Sequence, residues 1–361
     1  MNVDLFEPPP AQKIGGLGLG IRSLERFLRL AGVTVRSNPW DVGLGDRAPR
    51  VVHFHGLWQP KFLSVSARCR RLNIPYVVSP HGMLEPWAWR HKRWKKWPWY
   101  HLFERRHLSG ASRLLATSEA EARNLKGFLP SRNCHVLSLG LTSQCEPDYA
   151  AARHFLGWLD SELVLLFLSR VHPKKGLHVL LRALAGLDPE RVKNVRLVIV
   201  GGGEASYVRE LKSFLQRESS RLPRVDWLGE VWGDGKWVYF QGADLFCLPS
   251  YSENFGLAVL EALQVGTRVL TTDQTPWEMV ASLGAGMIVQ PVEGAIRAAL
   301  VEFLANPEWT SAQRTTLALK IHGQFSWESV GPAYLRFYEA TIADSNGGRS
   351  PNGLRLSRRV H

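Results

Sequence analysis

Cysteine is scarce in this chain of 361 residues: there are four, at Cys69, Cys134, Cys145 and Cys247, far apart. Their spacing fits neither a disulfide framework nor a zinc site, so free thiols in a reducing compartment are expected. Long apolar runs are also missing. The longest, Leu163 to Leu168, falls far short of the roughly 20 residues that a membrane-spanning helix needs. Met1 leads directly into strand-like sequence with no basic, apolar and small-residue leader, and the expectation is a cytoplasmic chain. No Asp-x-Asp pair, zinc-type cluster or Gly-x-Ser-x-Gly elbow occurs, so no metal is expected. Repeats at solenoid periods are absent.

Acidic residues are outnumbered, 32 against 45 Lys and Arg, and the net charge is +13. An anionic partner follows: nucleic acid, an acidic membrane face or a phosphorylated ligand. Between Trp87 and His107, seven Lys or Arg face a single Glu104, and Trp87, Trp89, Trp94, Trp97, Trp99 and Tyr100 are interleaved with them. Indoles with basic side chains suit a lipid headgroup layer or single-stranded nucleic acid. The plainer alternative is a solvated basic face with tryptophans packed underneath.

Strand-like and helical patterns alternate almost throughout, as in parallel α/β layers. In the first half, strands are expected at Val3–Phe6, Val51–Phe54, Tyr76–Ser79, Arg113–Thr117 and Val136–Leu139. In the second they are expected at Leu163–Leu168, Val195–Val200, Val225–Leu228, Ala243–Leu248, Arg268–Thr271 and Met287–Val289. Cys145–Ala152 is polar and aperiodic, and the domain change is placed there. The expected division is 1–145, 146–325, a final helix at 326–343 and a disordered tail at 344–361. Two doubly wound halves predict a ligand cleft between them at the strands' carboxyl ends.

The most informative run is Pro249-Ser-Tyr-Ser-Glu253-Asn254-Phe255-Gly256-Leu257, continuing to Glu261 inside the next helix. A buried strand runs into a loop carrying one carboxylate, and Gly256 opens a helix whose N–H groups and positive dipole end can seat phosphate. One acid beside that seat can bind sugar hydroxyls and the other a ribose. Arg170 and Lys175 leave the tip of Leu163–Leu168 on a short loop and can converge on one diphosphate. Between the first strand and first helix, Gly15 and Gly16 belong to a glycine loop that fits neither the dinucleotide nor the P-loop spacing. His81 follows Tyr76–Ser79 beside Gly82, and His53 and His55 end Val51–Phe54 as weaker candidates.

Arg170 with Lys175, and Glu253 with Glu261 eight positions on, resemble the family 4 retaining glycosyltransferases of the GT-B fold. Ser79-Pro-His-Gly-Met-Leu-Glu-Pro-Trp-Ala and Thr275-Pro-Trp277 further resemble bacterial members that build exopolysaccharide, capsule or O-antigen. The resemblance implies an α/β chain of two Rossmann-like, doubly wound parallel-sheet domains with an interdomain cleft. It implies that Arg170 and Lys175 grip the diphosphate of a nucleotide sugar donor, completed by backbone at Phe255, Gly256 and Leu257, with Asn254 in the same cradle. Glu253 would bind the donor sugar, Glu261 the ribose, and backbone near Glu230 and Val231 the base. His81 would approach the transferred sugar, and Gly15 and Gly16 the phosphates and acceptor. A retaining, metal-independent hexosyltransferase without cofactor is implied, acting on a glycan or polyprenyl-diphosphate-linked acceptor. Peripheral contact with anionic membrane through residues 87–107 is expected, and nucleic acid binding is not. One departure is Gly140-Leu-Thr-Ser, where the family has Pro-Asn-Gly-Val. The same architecture also serves nucleotide-sugar 2-epimerases.

Overall fold

The structure, a computed structural model, describes residues 1–9, 16–39, 41–42, 50–91, 93–130, 134–141 and 146–347. Contacts divide the chain into two units. The first holds the described residues of Met1–Lys13, Ile21–Ser138 and Val330–His361, and the second those of Ile14–Gly20 and Leu139–Ser329.

In the first unit, β1 (Asn2–Phe6), β2 (Thr34–Ser37), β3 (Arg50–His55), β4 (Tyr76–Ser79), β5 (Arg113–Ala116) and β6 (Cys134–Val136) form one parallel sheet in the order β2-β1-β3-β4-β5-β6. Every residue of β1, β3 and β4 is buried, as expected where helices cover both faces of a parallel sheet. Phe54 centres the core, with the rings of Phe6 and Phe62 each 5.2 Å away and Tyr76 edge-on at 5.7 Å.

In the second unit, β7 (Leu163–Leu168), β8 (Val195–Val200), β9 (Arg224–Gly229), β10 (Leu245–Leu248), β11 (Arg268–Thr272) and β12 (Gly286–Val289) form a parallel sheet ordered β12-β11-β10-β7-β8-β9. Strand order reverses between β10 and β7, the place where open α/β sheets receive ligands at their carboxyl ends. Those two strands release the loops that carry Glu253 and Arg170.

Five elements depart from the expected pattern. Strand β2 is a short edge strand, Thr-Val-Arg-Ser, whose single buried residue gives almost no alternation to detect. Strand β6 covers Cys134–Val136, two residues before the expected span, and Leu137 only bonds back to Ala116 O. The helix Tyr149–Leu156 occupies much of the segment taken as aperiodic; Asp148 caps it and Gly157 ends it in left-handed conformation. The helix Ser311–Phe325 opens on a Thr310–Gln313 capping box, a signal that was present in the sequence. The last helix, Trp327–Gly347, extends past residue 343, so residues 344–347 are helical where a disordered tail is expected; Arg113 holds Asp344 at 2.6 Å, and 348–361 lie outside the described residues. Among the described residues no helix is long and apolar enough to cross a membrane.

Candidate active site

Beyond β7, the chain is laid against the triglycine turn that ends β8. Ser169 N donates to Val200 O, and Val171 N to Gly202 O at 2.7 Å. A Cβ on Gly201 or Gly203 would stand 1.9 Å from the carbonyl oxygen of Ser169 or Val171, so this seam admits only glycine. Arg170 is thereby presented, exposed, between two fixed peptides. The following turn, Pro173–Lys175, ends at Gly176 with φ +73°, where a Cβ would lie 2.0 Å from Pro249 O. Tyr251 N donates to Lys174 O at 2.8 Å. The loops after β7 and β10 are therefore bolted together, and Lys175 is aimed at the second.

That aim brings Lys175 Nζ to 2.5 Å from Glu253 Oε1, where the Ser250 hydroxyl also donates at 2.6 Å. The Glu253 side chain is only 8% exposed. Burial works to raise its pKa, but the charges of Lys175 and Lys174, with hydrogen bonds from Lys175 and Ser250, hold the carboxyl below its ordinary value. A fixed carboxylate thus sits just before a helix start. Gly256, at φ +77°, turns the chain into Leu257–Gln264, whose first N–H groups have no intrahelical acceptor. Support comes from β11: Gln274 O accepts from Glu253 N, and Trp277 Nε1 donates to Phe255 O at 2.5 Å. The Thr275-Pro-Trp277 motif is thus the buttress of the helix-opening loop. Asn254, half-buried, lies between the two supported residues.

Glu261 lies in the helix interior and meets Lys236 Nζ at 2.5 Å. Lys236 comes from the Gly233–Lys236 turn after β9 and was not anticipated; its sequence signal is a Gly-Asp-Gly-Lys turn beyond a strand. Glu230 leaves β9 over the triglycine turn, so that a Cβ on Gly202 would touch its Oε1 at 2.6 Å, and Val231 follows half-buried. Gly16 packs on the same helix start, a Cβ there falling 2.6 Å from Leu257 Cδ1. Gly15 lies outside the described residues.

In the first unit, His81 leaves β4 with φ +52°, a left-handed conformation uncommon for a residue with a side chain. Glu121, unforeseen, holds the turn: its Oε1 accepts from Gly82 N at 2.7 Å, and its Oε2 from Thr117 N at 2.8 Å. His55 Nδ1 lies 3.0 Å from His81 Nε2. Burial pushes the His81 imidazole down to about 4, so it is neutral at pH 7. Among the described residues, no group of three or more His, Cys, Asp or Glu is arranged to hold a metal.

Residues 3–140 match the glycosyl transferase 4-like domain and residues 149–316 the glycosyl transferases group 1 domain. A D-inositol 3-phosphate glycosyltransferase of Nocardia farcinica is 30% identical over 260 residues, 69% of this chain and 57% of that protein. One from Streptomyces griseus is 33% identical over 204 residues, 54% of this chain and 43% of that protein. The chain thus spans about half the length of these curated relatives. Sucrose-phosphate synthase from Thermosynechococcus elongatus superposes with a TM-score of 0.77 at 20% identity, covering 95% of this chain and all of that one. Anabaena HepE, solved with UDP and glucose, gives 0.64 at 18% identity over 96% of this chain and all of that one.

Proposed function

We propose that this chain, which matches a glycosyl transferase 4-like domain followed by a group 1 domain, is a GT-B glycosyltransferase that moves a hexosyl residue from a nucleoside diphosphate sugar to a glycan or lipid-linked glycan, with retention at the anomeric carbon and without a metal. The observation that carries this reading is the fixed Lys175–Glu253 pair beside a glycine-opened helix, 2.5 Å apart on two mutually bolted loops. In the reaction the anomeric C–O bond breaks, and negative charge builds on the departing diphosphate. Arg170, Lys175 and the first N–H groups of Leu257–Gln264 meet that charge, and preorganised electrostatics of this kind is usually the largest catalytic contribution. Glu253 orients the donor sugar and Glu261, neutralised by Lys236, binds the ribose; backbone at Glu230 and Val231 meets the base. His81 contacts the transferred sugar. HepE was solved with UDP-glucose, which supports a nucleotide sugar as donor.

Relatives named for D-inositol 3-phosphate, and a neighbour named sucrose-phosphate synthase, handle phosphorylated small molecules by name. They favour an acceptor carrying phosphate, a property shared by a polyprenyl-diphosphate-linked glycan. The segment 87–107 supports the lipid-linked form and a peripheral place at an anionic inner membrane face. Along Arg93–Ser109, Tyr100, Glu104 and Leu108 point into the core, whereas Trp94 (74% exposed), Trp97 (52%) and Leu102 (69%) face outward.

The test is donor turnover with UDP-, GDP- and ADP-sugars, followed by mass spectrometry and NMR of the product. Arg170→Ala and Lys175→Ala should each lower kcat roughly 10²- to 10³-fold, as for lost oxyanion donors, with unchanged thermal unfolding. Normal turnover in both variants, an inverted anomer, or a free epimerised sugar in place of a glycosylated acceptor would each refute the reading.

A further inference from the structure

What His81 offers a ligand is decided one strand away. In the β3–β4 register His55 pairs with Ser79, so the turn two residues further on hangs over the His55 ring. The two imidazoles lie 16° from parallel, with His55 Nδ1 and His81 Nε2 3.0 Å apart. One proton occupies that contact, and which ring owns it is settled by the rest of His55. Its Nε2 is buried, with no hydrogen-bond partner among the described residues. A proton there would be an orphaned buried donor, rarer in proteins than an under-satisfied acceptor. His53 cannot take it: its Nδ1 is 2.8 Å from Tyr338 OH and its Nε2 2.8 Å from Ser79 Oγ, while its ring centre lies 3.9 Å from that of His55 with the planes tilted by 37°. Burial, with His53 and His81 alongside, holds His55 well below the usual imidazole range, so it is neutral and carries one proton.

We propose that His55 is a positioning residue which donates from Nδ1 to His81 Nε2 and thereby fixes His81 as an Nδ1–H donor to its ligand. The ligand's identity as a transferred sugar rests on the reading above; the tautomer does not. The turn geometry serves the same end, since Glu121 anchors the peptide after His81 through Gly82 N–H. The experiment is long-range ¹H–¹⁵N correlation NMR of the full chain with labelled histidine, His81 being assigned by substitution. The wild type should show His81 in the Nδ1–H form. His55→Leu should release it to the Nε2–H form that free neutral imidazole prefers, and His55→Asn, whose amide N–H stands near the lost Nδ1, should restore it. In donor turnover, His55→Leu should lower kcat about tenfold with little change in KM, and His55→Asn should recover most of it. An Nε2–H His81 in the wild type overturns the proposal whether or not the variants fold, as does a tautomer that ignores His55→Leu. A correct tautomer in a chain that transfers no sugar would instead refute the reading of function alone.

Discussion

Glu121 is a buried carboxylate with a structural duty and an unusual titration. Burial pushes its carboxyl up to about 7, against the hydrogen bonds from Thr117 and Gly82 that favour the anion. Glu85 adds like charge, and Cys134 of β6 and Tyr334 of the last helix also face it. Because the folded pKa lies above the unfolded one, this residue's stability contribution is fully present below about pH 4.5 and is lost as pH rises through about 7. Glu121→Gln cannot ionise. The wild type's stability relative to that variant should therefore fall by about 2–3 kcal/mol between pH 4.5 and 8, read by urea unfolding; a difference flat with pH would sink the claim. Arg170, Lys175, Glu253 and Glu261 were legible as candidates because a strand tip, a glycine and a helix start surround them within a few residues. Glu121, His55's partnership and Lys236 were not. Each meets its partner across strands or turns far apart in sequence, and no local spacing records such a meeting.

Secondary-structure elements in the second unit are tied by one buried acid. Asp244, ahead of β10, accepts from Val164 N at 2.8 Å, Tyr149 OH at 2.7 Å and Arg153 at 3.0 Å, with Arg314 at 3.6 Å. The Arg314 guanidinium lies 4.0 Å from the Tyr149 ring centre. β7, β10 and the helices Tyr149–Leu156 and Ser311–Phe325 thus share a charge cluster. Asp244→Ala removes the buried carboxylate that faces both guanidiniums, leaving Arg153 only the exposed Asp160 at 4.0 Å, and should cost about 3–5 kcal/mol, measured by denaturant unfolding; a loss under 1 kcal/mol would show the cluster to be dispensable. Gly176→Ala should act on binding instead. Its Cβ collides with Pro249 O, separating the loops that set Lys175 on Glu253, so donor affinity should fall at least tenfold by calorimetry. Unchanged affinity would mean that the seam does not position Lys175. Most strands of both sheets were legible because parallel strands covered on two faces read as unbroken apolar runs, whereas the edge strand β2 has no such run. The helices Tyr149–Leu156 and Ser311–Phe325 were missed because each buries charged residues, Arg153 and Arg314, where periodicity looks for apolar ones.

At the scale of the whole molecule, the charge of +13 is unevenly displayed. In Arg93–Ser109 the inner face is fastened by Glu104, which accepts from Trp99 Nε1 at 3.0 Å and Trp58 N at 3.2 Å, and Lys96 turns inward to Ala88 O. Trp94 and Trp97 are left pointing out, with exposed Arg93, Lys95, Arg105 and Arg106 around them. Tryptophans buried underneath would have meant a merely solvated face; two of them stand outside instead. Each basic side chain near an anionic bilayer is worth roughly 1 kcal/mol, so four would raise partitioning about a thousandfold at low salt. Indoles at headgroup depth add a part that salt does not screen. The attraction should therefore have two separable components in vesicle flotation. Lys95→Ala with Arg105→Ala should abolish most of the preference for vesicles with 30% anionic lipid over neutral ones, leaving weak binding insensitive to salt. Trp94→Ser with Trp97→Ser should keep the preference but make binding vanish between about 0.1 and 1 M salt, as the Debye length falls from roughly 10 to 3 Å. Equal partitioning of the wild type into anionic and neutral vesicles, or binding unaffected by both pairs of substitutions, would place the basic aromatic face elsewhere than on a membrane.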